Sequence, residues 1–245
     1  MLAVASTFRF PNRLVAAGLL AVSAASAGTA AAAVPPTLWT PGDAGSTFQA
    51  WDVFASTLGP NAPDAGLFNP NDDAADPLDL NAFDANAPGN GAFLVGGNIY
   101  SFQGIVSPVA DVPGYGGAFA SSDFTTVLVN LTTRGSVPDF DTLQLTADGQ
   151  PVPLTGQVVL TASTPLGGFG GSENSYWMQF NFAGSFEALR LAVTAGESSM
   201  SLAGLRIDTL TSDTQVVEAA PPAVPEPGSL ALTMLAGPML LRRRR

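Results

Sequence analysis

Phe124-Thr125-Thr126-Val127-Leu128-Val129-Asn130-Leu131 is the stretch that decides the fold class. Thr125, Thr126, Val127 and Val129 are β-branched. Such side chains lose rotamer freedom in a helix and fit a pleated sheet. No Gly or Pro interrupts the run, so it reads as a strand. The same grammar recurs downstream. In residues 175–182 Tyr176, Met178, Phe180 and Phe182 alternate with Trp177, Gln179 and Asn181. Residues 139–147 offer Phe140, Leu143 and Leu145 as inward candidates, and Asp148-Gly149 follows as a turn signal. Residues 154–162 place Val158 and Leu160 on one face. In residues 186–193 the spacing of Leu189, Leu191 and Val193 favours a strand over a short helix. Residues 200–210 carry Met200 and Leu202, then Leu205 and Ile207.

Upstream the signal is weaker. Residues 92–95 are apolar and precede Gly96-Gly97, and residues 98–106 carry Ile99, Phe102, Ile105 and Val106 before Ser107-Pro108 interrupts. Residues 46–54 hold strand-forming aromatics in a mixed period. No long run with a period of 3.6 separates these pieces. Many short strands divided by Gly and Pro turns predict an all-β fold, a β-sandwich or jelly roll. Its core is expected over residues 91–212. Residues 34–90 are expected to add strands and a loop region to the same domain.

Residues 59–90 hold neither period and are rich in Pro, Asn, Asp, Gly and Ala. Asp72, Asp73, Asp76, Asp79 and Asp84 make them locally acidic. Clustered oxygen ligands suit Ca²⁺. Asn69, Asn71 and Asp73 match the first spacings of an EF-hand loop, but Ala74 stands where its turn needs Gly and Leu80 where its bidentate Glu belongs. That leaves two readings: a nonstandard calcium site on Asp72, Asp73 and Asp76, or a solvated acidic loop. The aromatics divide in the same way. Trp39, Trp51 and Trp177 could stack on sugars, or they could fill a sandwich core, which is the commoner use.

Composition excludes several functions. Cys, His and Lys are absent, which removes thiolate, imidazole and disulfide chemistry. The net charge is −11, and between the two ends only Arg134, Arg190 and Arg206 are basic. Nucleic acid binding, which needs positive charge, is not expected. The Gly-rich residues 164–172 lack the phosphate-loop Lys. A pair of carboxylates could serve glycoside hydrolysis, with Glu173 beside Trp177 as the least weak candidate. Asn130-Leu131-Thr132 matches a glycosylation sequon but lies inside the leading strand. No catalytic set stands out, and a non-enzyme is expected.

The two ends carry address signals. Arg9 and Arg13 precede an apolar run over residues 14–27, and Ala30 to Ala33 offer small-residue cleavage positions. Residues 1–33 therefore read as a signal peptide, removed by signal peptidase. At the other end a Pro/Ala linker over residues 213–223 leads to Pro225-Glu226-Pro227-Gly228, an apolar stretch over residues 229–241, and Arg242, Arg243, Arg244 and Arg245. Thirteen helical residues rise about 20 Å, against a bilayer core of about 30 Å. The terminal arginines favour a cytoplasmic end and a membrane stop.

Val224-Pro225-Glu226-Pro227, the apolar stretch and the arginine cluster together resemble the PEP-CTERM sorting signal of bacterial exported proteins. The resemblance covers only residues 224–245. It implies recognition of Pro225, Glu226 and Pro227 by an exosortase, a membrane-embedded enzyme thought to remove the tail. It also implies a bacterial protein that is membrane-anchored before processing and then lies at the cell surface or outside the cell. Many carriers of this signal come from species that make exopolysaccharide or biofilm matrix, so exopolysaccharide is a candidate partner. Two classes of function remain open: a structural cell-surface or matrix protein, and a carbohydrate-binding module, with a glycoside hydrolase behind them. No cofactor other than a candidate calcium ion is implied.

Overall fold

The two most regular sequence runs lie side by side in the middle of the larger of two sheets. The computed structural model describes residues 33–57, 61–67, 92–101, 109–113, 123–167 and 171–224. In chain order the described strands are β1 (Ser46–Trp51), β2 (Ala65–Leu67), β3 (Phe93–Val95), β4 (Asn98–Tyr100), β5 (Val109–Pro113), β6 (Phe124–Gly135), β7 (Pro138–Ala147), β8 (Gln150–Val152), β9 (Val159–Pro165), β10 (Ser172–Ala183), β11 (Ala188–Ala195) and β12 (Met200–Ser212). They form an all-β fold of two antiparallel sheets, roughly a sandwich. The larger sheet runs β2-β1-β12-β6-β10-β9, with the β3–β4 hairpin joined to β12. The smaller runs β5-β11-β7-β8.

Alternation sets the inner faces. Val127, Val129 and Leu131 of β6, Tyr176, Met178 and Phe180 of β10, and Leu205 and Ile207 of β12 are buried in one cluster. Leu145, Leu189, Leu191 and Val193 of the smaller sheet join the same cluster, so the two sheets bury these faces together. Phe140 of β7 meets Tyr176 of β10 edge-to-face, with centroids 4.9 Å apart. Phe140 and Leu143 are three residues apart yet both pack on this core. The β7–β11 register shifts between Ala192 and Thr194, and that irregularity lets both side chains turn inward.

The strand edges differ from the sequence expectation in physically simple ways. β6 runs four residues past Leu131, to Gly135. Gly135 has φ 83°, and a Cβ there would collide with the Ser199 carbonyl oxygen, so only Gly closes this corner. The strand expected from residue 154 begins at Val159; Leu154 makes only an isolated bridge to Phe180. Asp148 and Gly149, at φ 50° and 77°, form the two-residue turn between β7 and β8. Asp148 Oδ1 also accepts the Glu187 and Ala188 N–H groups, each at 2.9 Å, which ties this turn to the start of β11. β1 pairs with β12 from Ser46↔Leu210 to Trp51↔Leu205, so the larger sheet takes in residues on both sides of position 91. Among the described residues no helix is long and apolar enough to cross a membrane.

Candidate functional site

β6 and β10 bury their outer faces as well as their inner ones. Leu128 of β6 and Trp177 of β10 are neighbours across the strands, and Leu210 of β12 lies beside them. These side chains point away from the smaller sheet. Two segments without helix or strand cover them: residues 33–40, the arm, and residues 213–224, the strap. The arm contributes buried Trp39 and half-buried Val34, and the strap contributes half-buried Val216. Both segments are Pro-bearing, so their missing N–H groups suit a run that joins no ladder.

Polar contacts fix both segments. The Asn130 carboxamide grips Val34: Oδ1 accepts its N–H at 3.0 Å, and Nδ2 donates to its carbonyl at 3.1 Å. This is a side chain offering the two bonds that a neighbouring strand would offer. Thr126 Oγ1 donates to the Val216 carbonyl at 2.7 Å. Val224 N–H donates to the Leu160 carbonyl on β9, the edge strand, at 2.8 Å. The strap thus passes over β6 and reaches the β9 edge at Val224.

Glu218 joins strap to arm. Its Oε1 accepts the Thr37 and Leu38 N–H groups at 2.8 and 2.7 Å, and its Oε2 accepts the Thr37 hydroxyl at 2.6 Å. The residue is 5% exposed. A carboxylate that far from water needs donors, and bonds to a charged acceptor are the stronger kind. Glu218 is the single charge in residues 214–224, and all three of its partner atoms belong to the arm. The two segments that flank the sandwich are therefore bound to each other as well as to the sheet.

Comparison with known proteins finds no family model, no curated protein and no solved structure that matches this chain.

The residues singled out in the sequence are scattered. Trp51 is fully buried in the inter-sheet core, with Nε1 donating to the Asn61 carbonyl at 2.8 Å. Trp39 and Trp177 lie under the arm and strap, 6% and 3% exposed. None of the three turns a ring face to solvent, so they form no stacking surface in this conformation; burial of their large apolar area is what they contribute. Glu173 is buried beside Arg134, with Nε donating to Oε2 at 2.6 Å. The pair bridges directly facing positions on β10 and β6. Asn130 of the sequon is committed to Val34. Asp72, Asp73 and Asp76, Pro225, Glu226 and Pro227, and Arg242 to Arg245 lie outside the described residues. Among the described residues no three His, Cys, Asp or Glu side chains are grouped to hold a metal ion.

A second charged cluster sits on the same outer face at β1 and β12. Arg206 donates through Nε and Nη2 to both Asp208 oxygens at 2.7 Å, and its guanidinium lies 4.8 Å from the Phe48 ring centroid. Burial pushes the Asp208 carboxyl above its ordinary value, and the Arg206 bonds only partly oppose this. The Asp208 bond holds Arg206 above its own ordinary value. This is a bidentate fork over a ring that uses both Asp208 oxygens within the fold.

Sequence reasoning missed Glu218, Thr37, Thr126 and the role of Asn130. One signal was present: a lone acid in an otherwise uncharged Pro/Ala stretch.

Proposed function

We propose that the chain is an exported, non-catalytic structural protein of the cell surface or extracellular matrix, delivered by a signal peptide and released through a sorted C-terminal tail. The observation that carries this reading is the order Val224-Pro225-Glu226-Pro227, apolar stretch, Arg242 to Arg245. Arginines held inside would leave Pro225-Glu226-Pro227 at the outer interface. A Pro-x-Pro segment resists joining a helix and stays readable there. The exosortase-type enzyme and signal peptidase are the partners of this reading.

Two structural features support it. Val224, directly before the motif, is bonded at the sheet's edge rather than inside the sandwich. Large buried carboxylates are spent on bonds within the fold, as Glu218, Glu173 and Asp208 show. The carbohydrate-binding alternative loses the tryptophans on which it leaned, because Trp39, Trp51 and Trp177 are covered.

The test is a Pro225→Ala, Glu226→Ala, Pro227→Ala chain in the native host. It accumulates in the membrane fraction with Arg245 retained, while the parent chain is shortened. If both chains keep Arg245 and fractionate alike, the tail is an anchor and the sorting reading is wrong.

A further inference from the structure

The strap is bonded to the sheet as far as Val224. Val224, the last described residue, is bonded to β9, and Pro225 is the next residue. A stretch read from composition as a Pro/Ala linker is fixed at Val216, Glu218 and Val224. An enzyme that cuts a chain needs the flanking residues free of their fold, so a docked segment is cut through its opened form.

What holds the strap down is unevenly distributed. Val216 and Val224 each make one backbone bond, whereas Glu218 makes three bonds, all to the arm. The arm in turn is held by Asn130 on Val34, beside the expected signal-peptide junction. Asn130 of β6 pairs with Trp177 of β10, and Trp177 pairs with Val159 of β9. Val224 is bonded to Leu160, the residue after Val159, so Val34 and Val224 are held at adjacent rows of the sheet, about 10–15 Å apart at the usual strand spacing.

We propose that Glu218 is a positioning residue for tail removal: its carboxylate locks the strap to the N-terminal arm, withholds the peptide flanking Pro225, and presents it when the two segments part. This rests on the reading of residues 224–245 as a processing signal. It adds that the state of the N-terminal arm sets the rate at which the C-terminal tail is read. Glu218 lies upstream of Pro225 in the same chain and acts by holding the strap, not on the reacting peptide bond.

The experiment follows two rates in parallel for the parent, Glu218→Ala, Glu218→Gln and Thr37→Val. One is loss of Arg245 from the exported full chain in the native host, by intact mass over time. The other is cutting of residues 213–224 in the purified exported protein by an added nonspecific protease. Glu218→Ala raises both by about tenfold, since three bonds to a charged acceptor are lost. Glu218→Gln returns both toward the parent, because its Oε1 still accepts the Thr37 and Leu38 N–H groups. Thr37→Val, which removes one bond and no charge, raises both by about threefold. Faster cutting of the strap with unchanged or slower tail loss overturns the gating role and leaves the processing reading standing. Unchanged cutting in Glu218→Ala shows that Glu218 does not hold the strap. A parent chain that keeps Arg245 overturns the processing reading and the proposal together.

Discussion

The inner and outer faces of the larger sheet are both buried, but by different means. On the inner face Val129, Met178, Phe180 and Ile207 meet a second sheet, and the contact is apolar across several strands. On the outer face Leu128, Trp177 and Leu210 are roofed by two irregular segments, one of which supplies Trp39. Polar side chains pin that roof: Asn130, Thr126 and Glu218. The inner face is held by area, which fails cooperatively with the whole fold. The outer face is held by a few bonds, which can open while the sandwich stays folded.

That contrast predicts a graded set of effects. Phe180→Ala opens a cavity at the centre of the inner face and lowers unfolding stability by about 3–5 kcal/mol in denaturant melts. Trp177→Ala on the outer face costs less, about 2–3 kcal/mol, because a roof of loose segments can settle or admit water where a sheet cannot. Equal costs would mean the roof is as rigid as the second sheet. Glu218→Ala lowers global stability by only about 1–2 kcal/mol, while hydrogen exchange at Thr37, Leu38 and Val224 accelerates together. Acceleration confined to Thr37 and Leu38 would separate the arm from the strap.

The smallest effect concerns pH. Asp208 has a carboxyl pushed up by burial, so the folded chain holds that proton more firmly than the unfolded one. Its stabilising contribution is complete below the ordinary carboxylate value and is lost as pH rises through the raised value. Thermal melts of the parent and Asp208→Asn across acid to neutral pH therefore show the parent losing ground to the variant as pH rises. A parent that gains ground instead contradicts the burial effect.

The contrast also explains what was legible in the sequence. β6 and β10 could be read because β-branched residues and strict alternation are local properties, visible in Thr125 to Val129 and Tyr176 to Phe182. β5 and β8 passed unread: β8 is three residues long and contains Pro151, and β5 directly follows a Ser-Pro break and ends in Pro113. Pro argues against a strand except at an edge, and both strands lie at the edges of the smaller sheet. The pairing of β1 with β12 joins Ser46 to Leu210, and no local pattern can announce a partner so far along the chain. The same holds for the roof. Thr37 and Glu218 are 181 residues apart, and each sits in a stretch with no period. Whether Trp39 and Trp177 stack on a sugar or fill a core depended on that roof, so the sequence left both uses open.

The most direct measurement is the intact mass of the parent chain recovered after export from its native host. The account predicts a start within residues 31–35 and an end that no longer includes Arg242 to Arg245. A chain recovered with Met1 and Arg245 both in place would contradict it.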